Sequence, residues 1–171
     1  SSMTVYHYNG ETGVCSRNLN LKHTPDNTLW KVATETQLVD CLTRMSRNLA
    51  VQGELMGEGV QGNREALKGH MMFVFDIWDI DAQRHLTPME RKEVMAELTQ
   101  MGCTVQHVPI IHESIKVFDV YPTMSELLES ADGPSLNHQI REGVVFKSIE
   151  VVKGEVPSFK AINNKFLLKQ G

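Results

Sequence analysis

The sequence predicts an α+β fold built on largely antiparallel sheets flanked by helices. Three observations carry this reading. Strand-like runs outnumber helical ones, and the two kinds occur in mixed order instead of the strict alternation of a parallel array. Asn9-Gly10 falls between the alternating run MTVYHY and the short run VCSRN, the strongest short-range signal for a hairpin. The runs LAVQGELMG and HMMFVFDIWDID are long and β-prone, and the second is apolar enough to lie centrally in a sheet.

The elements follow in order. After the hairpin, residues 28–49 place Leu29, Val32, Leu38, Leu42 and Met45 at helical spacing, predicting one amphipathic helix against a core. LAVQGELMG is a strand ending in glycines, and HMMFVFDIWDID is the next strand. At T-P-M-E, Thr87 caps, Pro88 takes the first helical position and Glu90 closes a capping box. That helix runs to about Met101, and Gly102 ends it. VQHVPII is a short strand, and Thr123 with Glu126 repeats the capping pattern for a short helix through SELLES. A loop, ADGPS, leads to the strand REGVVFKSIEVV, a turn at KGEVP, and a last strand or extended segment at SFKAINNKFLL. No internal repeat or low-complexity stretch interrupts this order.

Composition bounds the function. A chain of 171 residues suits one domain, and 41% hydrophobic with 22% charged residues is globular and not disordered. No run of 18 apolar residues exists, and SSMTVYHYNG has neither the basic nor the apolar region of a signal peptide, so no membrane partner is expected. Cys15, Cys41 and Cys103 lie far apart without a C-x-x-C pair, which excludes a disulfide scaffold and a cysteine zinc site. It favours a reducing, intracellular and cytoplasmic setting. Net charge is -4, so the totals do not describe a strongly basic nucleic-acid binder. Residues 141–171 nevertheless hold six Lys/Arg against three Glu, which suits either a solvated basic end or a phosphate-binding edge.

Several motifs bear on chemistry. Gly57, Gly59 and Gly62 spell G-x-G-x-x-G, but only NREALK follows before Gly69, too short for the crossover helix of a dinucleotide site. Glu54, at the end of an apolar strand, is costly to bury unless paired or used. In FVFDI, alternation puts Phe73, Phe75 and Ile77 on one face, as core or as a ring that stacks on a base. In REGVVFK, Glu142 and Lys147 are five apart, so both reach one site only if Glu142 sits in the turn before the strand. In SFKAINNKF, the Lys160 ammonium either snorkels or binds phosphate. The seven histidines are scattered and suggest no zinc site.

The ordered set SRN, GEL, FVFDI, REGVVFK and SFKAINNKF resembles the covalent nucleotidyltransferase superfamily of ATP-dependent ligases and capping enzymes. Within it the chain is most similar to the ATP-dependent RNA ligases of the Deinococcus-type group, related to the phage RNA ligase 2 family. The resemblance covers nearly the whole chain. It implies the ATP-grasp-like adenylation domain of DNA and RNA ligases over residues 1–171, truncated at the N-terminus, with no second domain. By position, Arg17 matches an arginine that contacts nucleotide or phosphate. Glu54 matches the glutamate that binds the ribose, and Phe75 the aromatic that stacks on adenine. Glu142 matches the carboxylate of the metal-assisted site. Lys147 ends that motif, and Lys160 matches a lysine on the α-phosphate. Where the family often carries a second lysine, this chain has Ile162, with Lys165 a weak substitute. The family's nucleophilic lysine motif has no counterpart here: Lys22 is followed by His23-Thr24-Pro25, so the nucleophile is expected upstream of Ser1, and the chain alone is expected not to adenylate itself.

What the resemblance implies is joining of RNA 3′-OH and 5′-phosphate ends through enzyme-adenylate and RNA-adenylate intermediates. The implied cofactors are ATP, as an AMP adduct, and Mg²⁺ or Mn²⁺. The partner is RNA or an RNA-containing nicked duplex, in a repair setting. Hard divalent ions suit Glu142 and phosphate oxygens. A DNA ligase, an mRNA capping guanylyltransferase, and a non-catalytic nucleotide- or RNA-binding module are the alternatives.

Overall fold

Asn9 and Gly10 turn the chain with φ of 47° and 86°, the pair of positive values that a type I′ hairpin needs. They join β1 (Ser2–Tyr8) to β2 (Glu11–Ser16), as the Asn-Gly signal predicts. The structure, a computed structural model, describes residues 1–24, 26–57, 69–132 and 143–163.

The main sheet runs β2-β1-β3-β4-β5, with β3 (Leu49–Gly57), β4 (His70–Asp79) and β5 (Arg84–His85) all paired antiparallel to their neighbours. A short strand β6 (Gln106–His107) joins β4 in parallel at Phe73 and Val74. In β3 buried and half-buried residues alternate along all nine positions, the pattern of a strand with two unlike faces. One face carries Leu49, Val51 and Leu55 into the core, where they meet Val5, Val14, Met72, Val74 and Ile77 of the neighbouring strands.

Three helices cover that face. The predicted single helix over 28–49 is instead two: α1 (Thr28–Glu35) and α2 (Leu38–Met45), separated by Gln37 in the left-handed region at φ 68°. The break exposes the Thr36 carbonyl, which accepts from Thr104 N at 2.9 Å. The apolar stripe survives the break: Val32, Leu38 and Leu42 are buried, and Leu29 and Met45 pack against them. Leu49, which the helix span and the strand LAVQGELMG share in the sequence reading, begins β3. The third helix, α3 (Pro88–Gln100), has the predicted Thr87–Glu90 capping box and Pro88 in its first turn.

A second, smaller unit packs beside this. Helices α4 (Val117–Val120) and α5 (Met124–Glu129), the latter with its Thr123–Glu126 capping box, adjoin a two-stranded sheet of β7 (Gly143–Lys147) and β8 (Ser158–Ile162). Leu127, Ala131 and Ala161 form its core, with Val117, Tyr121, Val144 and Phe146 packed around them. The strands lie close at Gly143, where a Cβ would stand 2.3 Å from the Ala161 carbonyl oxygen. Gly59 and Gly62 of the G-x-G-x-x-G run, and Glu142, lie outside the described residues.

Candidate functional site

The site begins with an irregularity in β4. Gln52 pairs with Asp76, but Gly53 pairs with Val74, so Phe75 is an extra residue, a β-bulge. The bulge resets the alternation. Val74 and Ile77, three apart, both enter the core, while Phe75 and Asp76 are both only partly buried and outside it. This corrects the sequence expectation that Phe73, Phe75 and Ile77 share a face. Phe73 lies opposite Glu54, off the main core, and Ile77 turns inward. Gly53 is required at this point, because a Cβ there would meet the Phe73 carbonyl oxygen at 2.7 Å.

The non-core face of β3 and β4 thus carries Gln52, Glu54, Phe73, Phe75 and Asp76. Glu54 is partly exposed, with Ser2 Oγ at 3.5 Å and the Ser1 amino group against its carboxylate. It lies two residues along β3 from Gln52, the partner of Asp76. Arg17 follows the last residue of β2 at the same end of the sheet: Ser16 pairs with Met3, and Met3 with Gly53. Its side chain is exposed.

Lys147 crosses from the small sheet to this face. Its Nζ donates to the Phe75 carbonyl oxygen, lies 3.2 Å from Asp76 Oδ2, and stands 5.9 Å from the Phe75 ring centroid. The β7–β8 register sets Lys147 opposite Ser158 and Val145 opposite Lys160. Lys147 and Lys160 are therefore diagonal neighbours on one face, while Val144, Phe146 and Ala161 fill the other. Lys160 is exposed. Burial lowers the Lys147 pKa from its ordinary value, and Asp76 opposes the shift by favouring the charged form.

Asp76 has further polar neighbours. His85 Nε2 lies 3.7 Å from Asp76 Oδ2 and 3.1 Å from Gln52 Oε1. Arg91 reaches in from α3, its Nη1 3.9 Å from Asp76 Oδ1, and its Nε donates to His107 Nε2 at 2.9 Å. Asp76, Arg91 and His107 were not singled out from sequence. Asp76 follows Phe75 directly inside FVFDI. Arg91 is in step with Val94 and Leu98, and all three are buried on α3; a charged residue within an apolar stripe is the available signal.

The described members of the candidate set lie as follows. Glu54, Phe75 and Lys147 share the space over one sheet face, Lys160 lies beside Lys147, and Arg17 sits at the sheet end. The expected metal ligand Glu142 falls outside the described residues, as does Lys165. Among the described residues no group of three or more His, Cys, Asp or Glu side chains could hold a metal ion.

Comparison with known proteins decides the family. The model of the RNA ligase family matches residues 1–162. The chain belongs to the RNA ligase family. Solved structures of the Naegleria gruberi RNA ligase agree. A substituted form with ATP and Mn is 44% identical at a TM-score of 0.88, covering 99% of this chain and 48% of that one. A second substituted form, with AMP and Mn, is 44% identical at a TM-score of 0.87, with 98% and 48% covered. The enzyme with PPi gives 44% and 0.87, again with 98% and 48% covered. This member of the family thus spans about half the length of those ligases. No curated protein matches the chain. The mixed fold with a mainly antiparallel sheet is the nucleotidyltransferase fold of RNA ligases, as the motif order implied.

Proposed function

We propose that residues 1–171 form the adenylation domain of an ATP-dependent RNA ligase. In this reading the α-phosphorus of ATP is attacked by a lysine amine with release of pyrophosphate. The adenylate then passes to an RNA 5′-phosphate, and a 3′-OH displaces AMP to seal RNA ends or an RNA-containing nick. The observation that carries the proposal is Lys147: an ammonium rooted in the small sheet meets the face of the main sheet that bears Glu54 and Phe75.

The roles follow from position. Phe75 offers a ring for the adenine, a contact worth about 1–3 kcal/mol. Glu54 accepts from the ribose hydroxyls. Lys147 and Lys160, side by side on the small sheet, neutralise charge on the α-phosphate as it develops. An ammonium has three donors; Phe75 O and Asp76 engage two on Lys147, which leaves one for a phosphate oxygen. Arg17, at the sheet end, suits the outer phosphates. A divalent ion, Mg²⁺ or Mn²⁺, would take Glu142 and phosphate oxygens as hard ligands and would supply Lewis-acid neutralisation of the phosphate. The solved relatives with ATP or AMP and Mn support this.

Among the described residues no helix is long and apolar enough to cross a membrane. Three cysteines without disulfides, two of them buried, support action inside the cytoplasm.

The natural protein that carries this chain is expected to acquire a covalent label from α-labelled ATP with Mg²⁺ or Mn²⁺ and to seal RNA ends. Labelling by GTP instead would identify a capping guanylyltransferase, and sealing of all-DNA nicks alone a DNA ligase. ATP binding by calorimetry without an adduct would mark a non-catalytic module.

A further inference from the structure

Arg91 is an unusual core residue. It is 6% exposed, and among the described residues its Nη1 is buried without a hydrogen-bond partner. A guanidinium held this way costs free energy unless something makes use of it. Its surroundings show what it faces. Nη1 points toward Asp76 Oδ1 at 3.9 Å, and the other oxygen of that carboxylate, Oδ2, lies 3.2 Å from Lys147 Nζ. The remaining end is anchored, because Nε donates to His107 Nε2 at 2.9 Å.

That bond fixes the histidine. A nitrogen that accepts from Nε–H carries no proton, so the His107 proton is on Nδ1, which lies 2.6 Å from the Val108 carbonyl oxygen and donates to it. Four groups from four elements therefore stand in one line: His107 on β6, Arg91 on α3, Asp76 on β4 and Lys147 on β7. The bulge at Phe75 turns Asp76 toward this line, and the register of β7 delivers Lys147 to its end.

We infer that Arg91, anchored by the Nε2 acceptor of His107, is a positioning residue: it holds the Asp76 carboxylate in the orientation that sets Lys147 over the nucleotide face. The inference rests on the adenylation reading above and adds two residues that touch neither nucleotide nor metal in it. Protonation of His107 would put an N–H against the Arg91 N–H and release the anchor. Burial lowers the His107 pKa from its ordinary value; the bond to Val108 opposes this, Arg91 and Lys147 add to it, and Asp76 opposes it. The anchor therefore holds at neutral pH and is lost only as pH falls below the ordinary histidine range.

The test uses the natural protein carrying this chain, with Arg91→Lys and His107→Gln variants. Lysine keeps the charge but cannot bridge His107 and Asp76. Glutamine keeps an acceptor for Arg91 that does not titrate. Arg91→Lys is expected to slow AMP-adduct formation at saturating ATP by about 10–100-fold while far-UV circular dichroism is unchanged. His107→Gln is expected to keep the rate at neutral pH and to lose part of the acid limb of its pH profile, which a purely structural role would leave in place. A crystal structure of Arg91→Lys is expected to show the Lys147–Asp76 pair broken. If Arg91→Lys folds but labels at the wild-type rate with that pair intact, the inference is overturned. It is overturned as well if His107→Gln keeps the full acid limb. Where the parent protein takes no label from ATP, the ligase reading has failed, and the Lys147–Asp76 separation in the Arg91→Lys crystal still decides the positioning role.

Discussion

Asp76→Ala is expected to lower the stability of the fold by about 3 kcal/mol, measured as the loss in unfolding free energy in urea. Asp76 is the anion shared by Lys147 and Arg91, with His85 Nε2 3.7 Å away. The side chains of Lys147 and Arg91 are only 14% and 7% exposed, so removal of the carboxylate leaves two cations poorly hydrated and unpaired. Breaking one side of a buried pair costs more than the pair contributes, because the orphaned charge keeps its desolvation penalty. Asp76 itself is 17% exposed, which places the expectation at the lower end of the range for buried pairs. Asp76→Asn tests charge against shape: it preserves volume, and a comparable loss would show that the charge matters. A loss under about 0.5 kcal/mol, the scale of an ordinary surface change, would mean that water already satisfies these cations.

Lys147→Ala is expected to reduce the rate of AMP-adduct formation by about 100-fold or more, with a smaller effect on stability than Asp76→Ala. The asymmetry is physical. Without Lys147, Asp76 still has Arg91 and His85 nearby, so no buried charge is orphaned. What disappears is the Lys147 ammonium, which reaches from the small sheet to the face of Phe75 and Glu54. Lys147→Arg is not expected to rescue the rate. A planar guanidinium does not occupy the place of a compact ammonium that donates to the Phe75 carbonyl and pairs with Asp76 at once. Rapid labelling of the Lys147→Ala protein would remove this residue from the reaction.

Much of the fold was legible because its signals are local. Asn9-Gly10 specifies its turn through two positive φ values, and both Thr-x-x-Glu boxes specify helix starts through hydrogen bonds three residues apart. The break at Gln37 was hidden because the apolar stripe continues through it; the demand for the Thr36 carbonyl comes from Thr104, far along the chain. The bulge at Phe75 was hidden for a similar reason. Strand alternation is a property of one segment, whereas an extra residue is defined only by the partner strand, here between Gln52 and Gly53.

The candidate site divides along the same line. Glu54, Phe75, Lys147 and Lys160 are candidates that motif order alone proposes, because it records chemistry without geometry. The charge line through Asp76, Arg91 and His107 joins segments far apart in sequence, and no spacing rule connects residue 76 to residue 147. Arg91 was the most accessible of these, since it interrupts the apolar stripe of α3 at the position of a core residue.

The central claim is that one nucleotide pocket lies between the main sheet and the small sheet. A structure of the protein with ATP and Mn²⁺ tests it most directly. The account predicts adenine stacked on Phe75, ribose hydroxyls within hydrogen-bond reach of Glu54, and the α-phosphate between Lys147 and Lys160. Nucleotide bound on another surface, with Lys147 still paired only to Asp76 and Phe75, would contradict it.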